Sequence, residues 1–351
     1  MHTRVCRLHD KHDLRIETEE VGDPGTGEVL LAIGAGGICG SDLHYFQDGG
    51  IGLIRVREPI ILGHEAAGTI VALGPGVSGL AEGGRVAINP SRPCGECRFC
   101  REGHFQHCLK MRFNGSALRL PHEQGLFRDL IIVDAAQCLP INKSTSLAKA
   151  ACSEPLAVCV HAANRAGVLG NKRVLVTGAG PIGALCTAVA RQRGAAEVVV
   201  TDVQDATLAV AARMGATRTL NVASDPTAID AYSADKGYFD TVFECSAALT
   251  ALRSAIMSVR PLGTIVQVGV AGDLPVSVNL VVSKEIDLKG THRFHAEFAE
   301  AVRLIDSDAI DVEPIVTDTY PAERVQEALE AAADRSRSVK VQLTFAEPVV
   351  A

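Results

Sequence analysis

Three groups of residues in this 351-residue chain have the types and spacing to do chemistry. The first is NPSRPCGECRFCREGHFQHC, which carries Cys94, Cys97, Cys100 and Cys108. Four thiolates at this spacing fill every tetrahedral position around zinc and leave no opening for substrate, so the group reads as a structural staple, with disulfides as the alternative. The second group is dispersed. GGICGSDLHYF offers Cys39, Ser41, Asp42 and His44, ILGHEAAG offers His64 and Glu65, and CSEPLAVCVHA offers Glu154. A thiolate, an imidazole and a carboxylate oxygen suit zinc with its fourth place open, as catalysis requires. The third group is VLVTGAGPIGAL, with Gly178, Gly180, Ile182 and Gly183.

Those glycines follow an apolar strand and open a helix, the context that makes such a pattern a dinucleotide fingerprint. Gly178 permits the tight turn, Gly180 lets a pyrophosphate approach the backbone, and Gly183 allows close packing of helix on strand. Asp202 ends the next strand, EVVVTD, where a carboxylate accepts from a ribose diol and repels a 2′-phosphate; NAD is therefore favoured over NADP. Val268 and Gly269 in VQVGV end a further strand at the edge where a nicotinamide would lie.

The elements that must position these groups change character near residue 150. Before it, short β-type runs (VLLAIGAGG, AAGTIVALG, RVAINP, DLIIVD) are punctuated by Gly, Pro and Asp, which predicts a mostly β domain with long loops over residues 1–150. After it, strand-like runs alternate with Ala-rich stretches of helical period, which predicts a doubly wound parallel sheet over 151–285. The remainder, 286–351, breaks that pattern, and VKVQLTF reads as a closing strand. The architecture is therefore α/β with two domains. Cys6, Cys138, Cys159, Cys186 and Cys245 read as small buried hydrophobes.

Composition excludes several classes. A net charge of -7 without a basic block opposes a nucleic-acid partner. The polar start, MHTRVCRLHDKHDLRIE, lacks the apolar core of a signal peptide, and no later run is long and apolar enough to cross a membrane, so a cytoplasmic protein is expected.

The motifs GGICGSDLHYF, LGHE, the four-cysteine run, SEPLAV and GAGPIG stand in the order and at the spacing of the zinc-dependent medium-chain dehydrogenases, and the whole chain resembles that alcohol and polyol dehydrogenase family. The resemblance implies a GroES-like catalytic domain, a Rossmann domain, and a C-terminal segment returning to the catalytic domain. It also implies two zinc ions per chain, one catalytic at Cys39, His64 and Glu65 or Glu154, and one structural. Counting charge, Cys39 with one carboxylate neutralises the metal, so Glu65 and Glu154 are not both expected to bind it tightly. Ser41 matches the family's proton-relay hydroxyl, leading towards His44, although it could instead cap a helix. Asp42 matches a carboxylate that orients His64. Tyr45, Phe113 and Arg293 match substrate-facing positions, and Arg293 could pair with the carboxylate of a sugar acid. Thr207 and His292 depart from the family's usual residues beside the ribose and in the pocket wall. The implied reaction is oxidation of a secondary alcohol of a sugar acid, with L-idonate to its 5-keto acid as the expected case and a sorbitol- or xylitol-type polyol as the alternative. A homo-oligomer, dimer or tetramer, is a further implication.

Overall fold

A computed structural model describes residues 1–270 and 272–345. The region after residue 150 contains a six-stranded parallel sheet in the order Arg218–Asn221, Glu197–Asp202, Arg173–Thr177, Phe239–Glu244, Val259–Gln267 and Asp287–Gly290. Alternate residues of its central strands enter two separate cores. Val174, Val176, Val198, Val200 and Phe243 pack on one face, while Leu175, Val199 and Val242 pack on the other. Burial on both faces explains why these segments read as continuous apolar runs. The strand order reverses beside Arg173–Thr177, which creates the crevice where ligands bind in open sheets of this kind.

The sheet passes the boundary expected at residue 285, because Asp287–Gly290 pairs in parallel with Val259–Gln267. That strand, DLKG, is short and lies at the sheet's edge, so it carries no apolar run to announce itself.

The first region is built on the strand Glu28–Gly37. One of its sides pairs with Glu65–Leu73, and its other side is shared by Leu130–Asp134 and, near Gly37, by the closing strand Lys340–Thr344. The C-terminal segment therefore returns to this sheet. The polar N-terminal stretch forms the hairpin His2–Asp10 and Asp13–Glu20. A linking helix, Ser153–Ala166, contributes Leu156, Cys159 and Val160 to the core that also holds Phe298 and Ala301 of helix Glu297–Asp306. Cys6, Cys138, Cys159 and Cys186 are buried, whereas Cys245 is only partly so.

Candidate active site

Register brings the dispersed donors together. Cys39 follows the end of strand Glu28–Gly37 and caps helix Gly40–Asp48, while His64 directly precedes the neighbouring strand and Glu65 opens it, standing opposite Gly37. Ligand atoms of Cys39, His64 and Glu65 lie within 4.8 Å of one another. Glu154, in the first turn of the linking helix, is buried but is not part of that group. A soft sulfur, a ring nitrogen and a carboxylate oxygen converging on one point make a donor set fit for zinc.

Asp42 ties the two donor segments, although not through the ring. Its carboxylate accepts from the Cys39 amide at 2.9 Å and the Gly63 amide at 3.1 Å, whereas His64 Nδ1 is 3.8 Å away, beyond hydrogen-bonding range. The expected direct orientation of the imidazole is thus replaced by a backbone tie between residues 39 and 63. The helix cap is Cys39, so Ser41 is free of that duty, and its Oγ stands 3.4 Å from His64 Nε2. His44 is exposed and bound to Asp48 at 2.9 Å.

Around the donors, the Arg293 guanidinium lies over the Phe113 ring at 4.2 Å, and that ring meets His64 with centroids 5.7 Å apart. Tyr45 is buried, and its hydroxyl accepts from the Ala117 amide at 3.2 Å. Burial pushes the Glu154 carboxyl up to about 7, against the opposing pull of His64. Burial likewise lowers Arg293, with Glu154 opposing. His292 turns to a separate cleft of about 690 Å³ that it lines with His104, His107 and His161.

Sequence reasoning missed Lys340. Its Nζ donates to both oxygens of Glu65 at 2.8 Å and to the Ile38 carbonyl at 3.0 Å, and Lys340 and Glu65 are 2% and 1% exposed. A Cβ on Gly37 would fall on Glu65 Oε2, so the bare middle strand is what lets the glutamate extend. Burial pulls the ammonium down, yet Glu65 and Cys39 outweigh it and raise its pKa. The only trace of it in the sequence is a lysine at the start of the alternating strand KVQLT.

In the four-cysteine loop, Sγ atoms of Cys97 and Cys100 are 3.6 Å apart and those of Cys94 and Cys108 3.4 Å apart, too far for disulfides. All four sulfurs lie within 4.8 Å of one another, and the Cys94, Leu109 and Lys110 amides point at them. This arrangement fits a tetrathiolate metal site.

The glycine turn is packed too tightly to admit side chains. Gly178 has φ +85°, and a Cβ on Gly183 would come 1.7 Å from the Gly178 carbonyl oxygen. Gly180 caps helix Pro181–Gln192, whose Ile182 carbonyl accepts from the Cys159 thiol at 3.4 Å. Asp202 already accepts from Ala179, Val203 and Gln204 amides at 2.6, 2.7 and 2.9 Å. With about four lone-pair sites on a carboxylate, one remains, enough for a single ribose hydroxyl rather than the whole diol. Thr207 is buried and bonds back to the Gln204 carbonyl at 2.8 Å. A second residue that sequence reasoning missed is Glu244, fully buried, whose carboxylate accepts from Thr177, Ser246, Ala247 and Gln267. Its carbonyl oxygen accepts from the Val268 and Gly269 amides, both at 2.8 Å, so one residue fixes the loops at the crevice.

A two-domain fold with an open three-donor site beside a nucleotide crevice defines a metal-dependent dehydrogenase. Residues 25–143 match the alcohol dehydrogenase GroES-like domain and residues 181–307 the zinc-binding dehydrogenase domain, and the chain belongs to this NAD(P)-dependent zinc dehydrogenase family. It is similar to L-idonate 5-dehydrogenase (NAD(P)(+)) of Escherichia coli, at 39% identity over 98% of this chain and 99% of the relative. Sorbitol dehydrogenase of Bacillus subtilis is 35% identical over 94% of this chain and 93% of its own. The crystal structure of the Escherichia coli L-idonate 5-dehydrogenase superposes with a TM-score of 0.93 at 38% identity, covering 98% of this chain and 99% of that one. No helix among the described residues is long and apolar enough to cross a membrane.

Proposed function

We propose that this enzyme oxidises L-idonate at C5 to the 5-keto acid. The observation that carries this reading is Arg293, half-buried over Phe113 in the electrostatic reach of Glu154, where a planar cationic fork would receive a sugar-acid carboxylate. The full-length similarity to an L-idonate 5-dehydrogenase supports it. A polyol is the second reading, since the same guanidinium binds hydroxyls and the chain is similar to sorbitol dehydrogenases.

Two zinc ions per chain are proposed, one at Cys39, His64 and Glu65 and one at the four cysteines. When bound, the catalytic zinc supplies Lewis acidity towards the substrate hydroxyl and the nicotinamide supplies a hydride acceptor. Glu65, with Lys340 balancing its charge, takes the ligand role, and Glu154 on the other wall holds the substrate hydroxyl. Ser41 would take the hydroxyl proton as it gives up its own towards His44. His44, three residues on along the same helix face, is the outlet to solvent. Tyr45, its hydroxyl held by the Ala117 amide, and Phe113 face the substrate beside Arg293. Gly178, Gly180, Ile182 and Gly183 shape the pyrophosphate site, Asp202 selects NAD over NADP, and Val268 with Gly269 border the nicotinamide.

Assembly as a homo-oligomer is proposed too. Strand Asp287–Gly290 leaves its outer edge unpaired among the described residues, with Val278, Val282 and Leu288 exposed nearby in the chain, a surface that a second copy would cover. Residence in the cytoplasm accords with free, unpaired cysteines throughout the chain.

The test is steady-state kinetics with L-idonate, gluconate, sorbitol, xylitol, threonine and simple alcohols, each with NAD and NADP, on protein of measured zinc content. The highest kcat/KM should fall on L-idonate with NAD. A sorbitol or xylitol preference replaces the sugar-acid reading, and two zincs without any turnover overturn the dehydrogenase assignment of these residues.

A further inference from the structure

Arg335 comes from the C-terminal segment, five positions before Lys340, and reaches the glycine turn of the other domain. A Cβ placed on Gly180 would come 2.8 Å from Arg335 Nη1, so the guanidinium lies against the residue that caps helix Pro181–Gln192. Arg324 pairs with Glu327 and Lys340 with Glu65, whereas Arg335, like Arg337 in the same turn, is exposed and has no carboxylate partner among the described residues. Its position is set by a tight turn. The Asp334 carboxylate accepts from the Ser336 amide at 3.1 Å and hydroxyl at 2.6 Å, and the Asp334 carbonyl accepts from the Arg337 and Ser338 amides at 3.2 and 3.0 Å.

In the chain alone this placement sets a positive charge beside the start of a helix. The first turn of a helix presents unsatisfied N–H groups and the positive end of the helix dipole, so a second positive charge beside it is unfavourable. An anion between the guanidinium and the amides satisfies both. Resting on the reading of this turn as a dinucleotide site, we propose that Arg335 grips the cofactor's pyrophosphate. The phosphate groups are then held from two domains, by amides of the Rossmann turn and by a cation anchored to the catalytic sheet through strand Lys340–Thr344.

The experiment measures dissociation constants of NADH, ADP-ribose and adenosine for the zinc-loaded wild-type enzyme, Arg335→Ala and Arg335→Lys, with melting temperatures to verify folding. Arg335→Ala should weaken NADH and ADP-ribose about tenfold, the loss of one charge-assisted hydrogen bond near the surface, and leave adenosine unchanged. Arg335→Lys should recover part of the loss, and wild-type affinity for ADP-ribose should fall more steeply with salt than that of Arg335→Ala. Equal ADP-ribose affinity in wild type and Arg335→Ala overturns the proposal while the dinucleotide reading stands, and a parallel loss of adenosine overturns it as a merely structural effect. If folded wild-type protein binds neither NADH nor ADP-ribose, the dinucleotide reading falls and takes the proposal with it.

Discussion

The two donor clusters solve the same charge problem in opposite ways. In the cysteine loop, all four sulfurs come from residues 94–108, and the charge they must carry is met locally by backbone amides; those of Cys100 and Leu109 draw the Cys97 thiol down to about 6. At Cys39, His64 and Glu65 the donors come from two elements, and the balancing charge is Lys340, 275 positions from Glu65. A closed site can be written in one stretch of chain. An open one has to keep a coordination place free, so its donors are fixed from outside, by Gly37 clearing the way, Asp42 tying the segments and Lys340 holding the glutamate.

Replacing one cysteine from each cluster breaks this comparison most sharply. Cys39→Ala should lower kcat/KM about a thousandfold or more, since losing a ligand exceeds the ten- to hundredfold effect of losing a supporting partner. NADH affinity and melting temperature should change little. Cys97→Ala should do the reverse, lowering stability by a few kcal/mol while kcat per folded molecule stays within about twofold. Titrating chelator against metal content and activity in both variants reads the difference, and equal loss of activity from the two would erase the distinction between an open and a closed site.

The next largest effect concerns the counter-ion. Lys340→Met strips the buried Glu65 carboxylate of its ammonium partner, which should cost about 3–5 kcal/mol in urea unfolding of the metal-free protein. The double substitution Glu65→Gln with Lys340→Met should recover much of that stability and none of the turnover. Lys340 also revises the charge count made from sequence. With its positive charge included, Cys39 and both glutamates are balanced by a divalent ion, so electrostatics no longer separates Glu65 from Glu154. Position does, because Glu65 stands in the donor group and Glu154 does not.

Legibility followed the same divide. That Cys39, His64 and Glu65, and the four cysteines, would gather could be read because metal-ligand chemistry restricts residue type and spacing, and the turn at Gly178, Gly180 and Gly183 because so tight a turn leaves no room for side chains. The doubly wound sheet was legible from its apolar strands. Lys340 was hidden by alternation. In KVQLT, Lys340 and Gln342 share one face and Val341 and Leu343 the other, which ordinarily means a solvated polar face. Here helix Leu147–Ala151 covers that polar face, and Gln342 Nε2 donates to the Ala148 carbonyl at 2.9 Å. Glu244 was hidden likewise, since nothing in FDTVFE tells a buried carboxylate with four partners from a strand-end acid in water. Both are tertiary facts, decided by what packs over the residue.

The smallest expected effect tests how Asp42 works. As a carboxylate it accepts at both oxygens, from the Cys39 amide through Oδ2 and the Gly63 amide through Oδ1. Asp42→Asn keeps the shape but turns one acceptor into an NH2 group facing an N–H donor in a site with no exposure to water. One of the two donor segments is then released. Metal affinity at the catalytic cluster, read by chelator competition, should fall about ten- to hundredfold, with the four-cysteine site unaffected. Asp42→Glu separates the tie from any action on the ring. A longer side chain can approach His64 Nδ1 across the present 3.8 Å, while it carries the carboxylate away from its present place on the Cys39 and Gly63 amides. If Asp42→Glu matched wild type while Asp42→Asn failed, contact with the imidazole would be the role; failure of both assigns the carboxylate to the backbone tie.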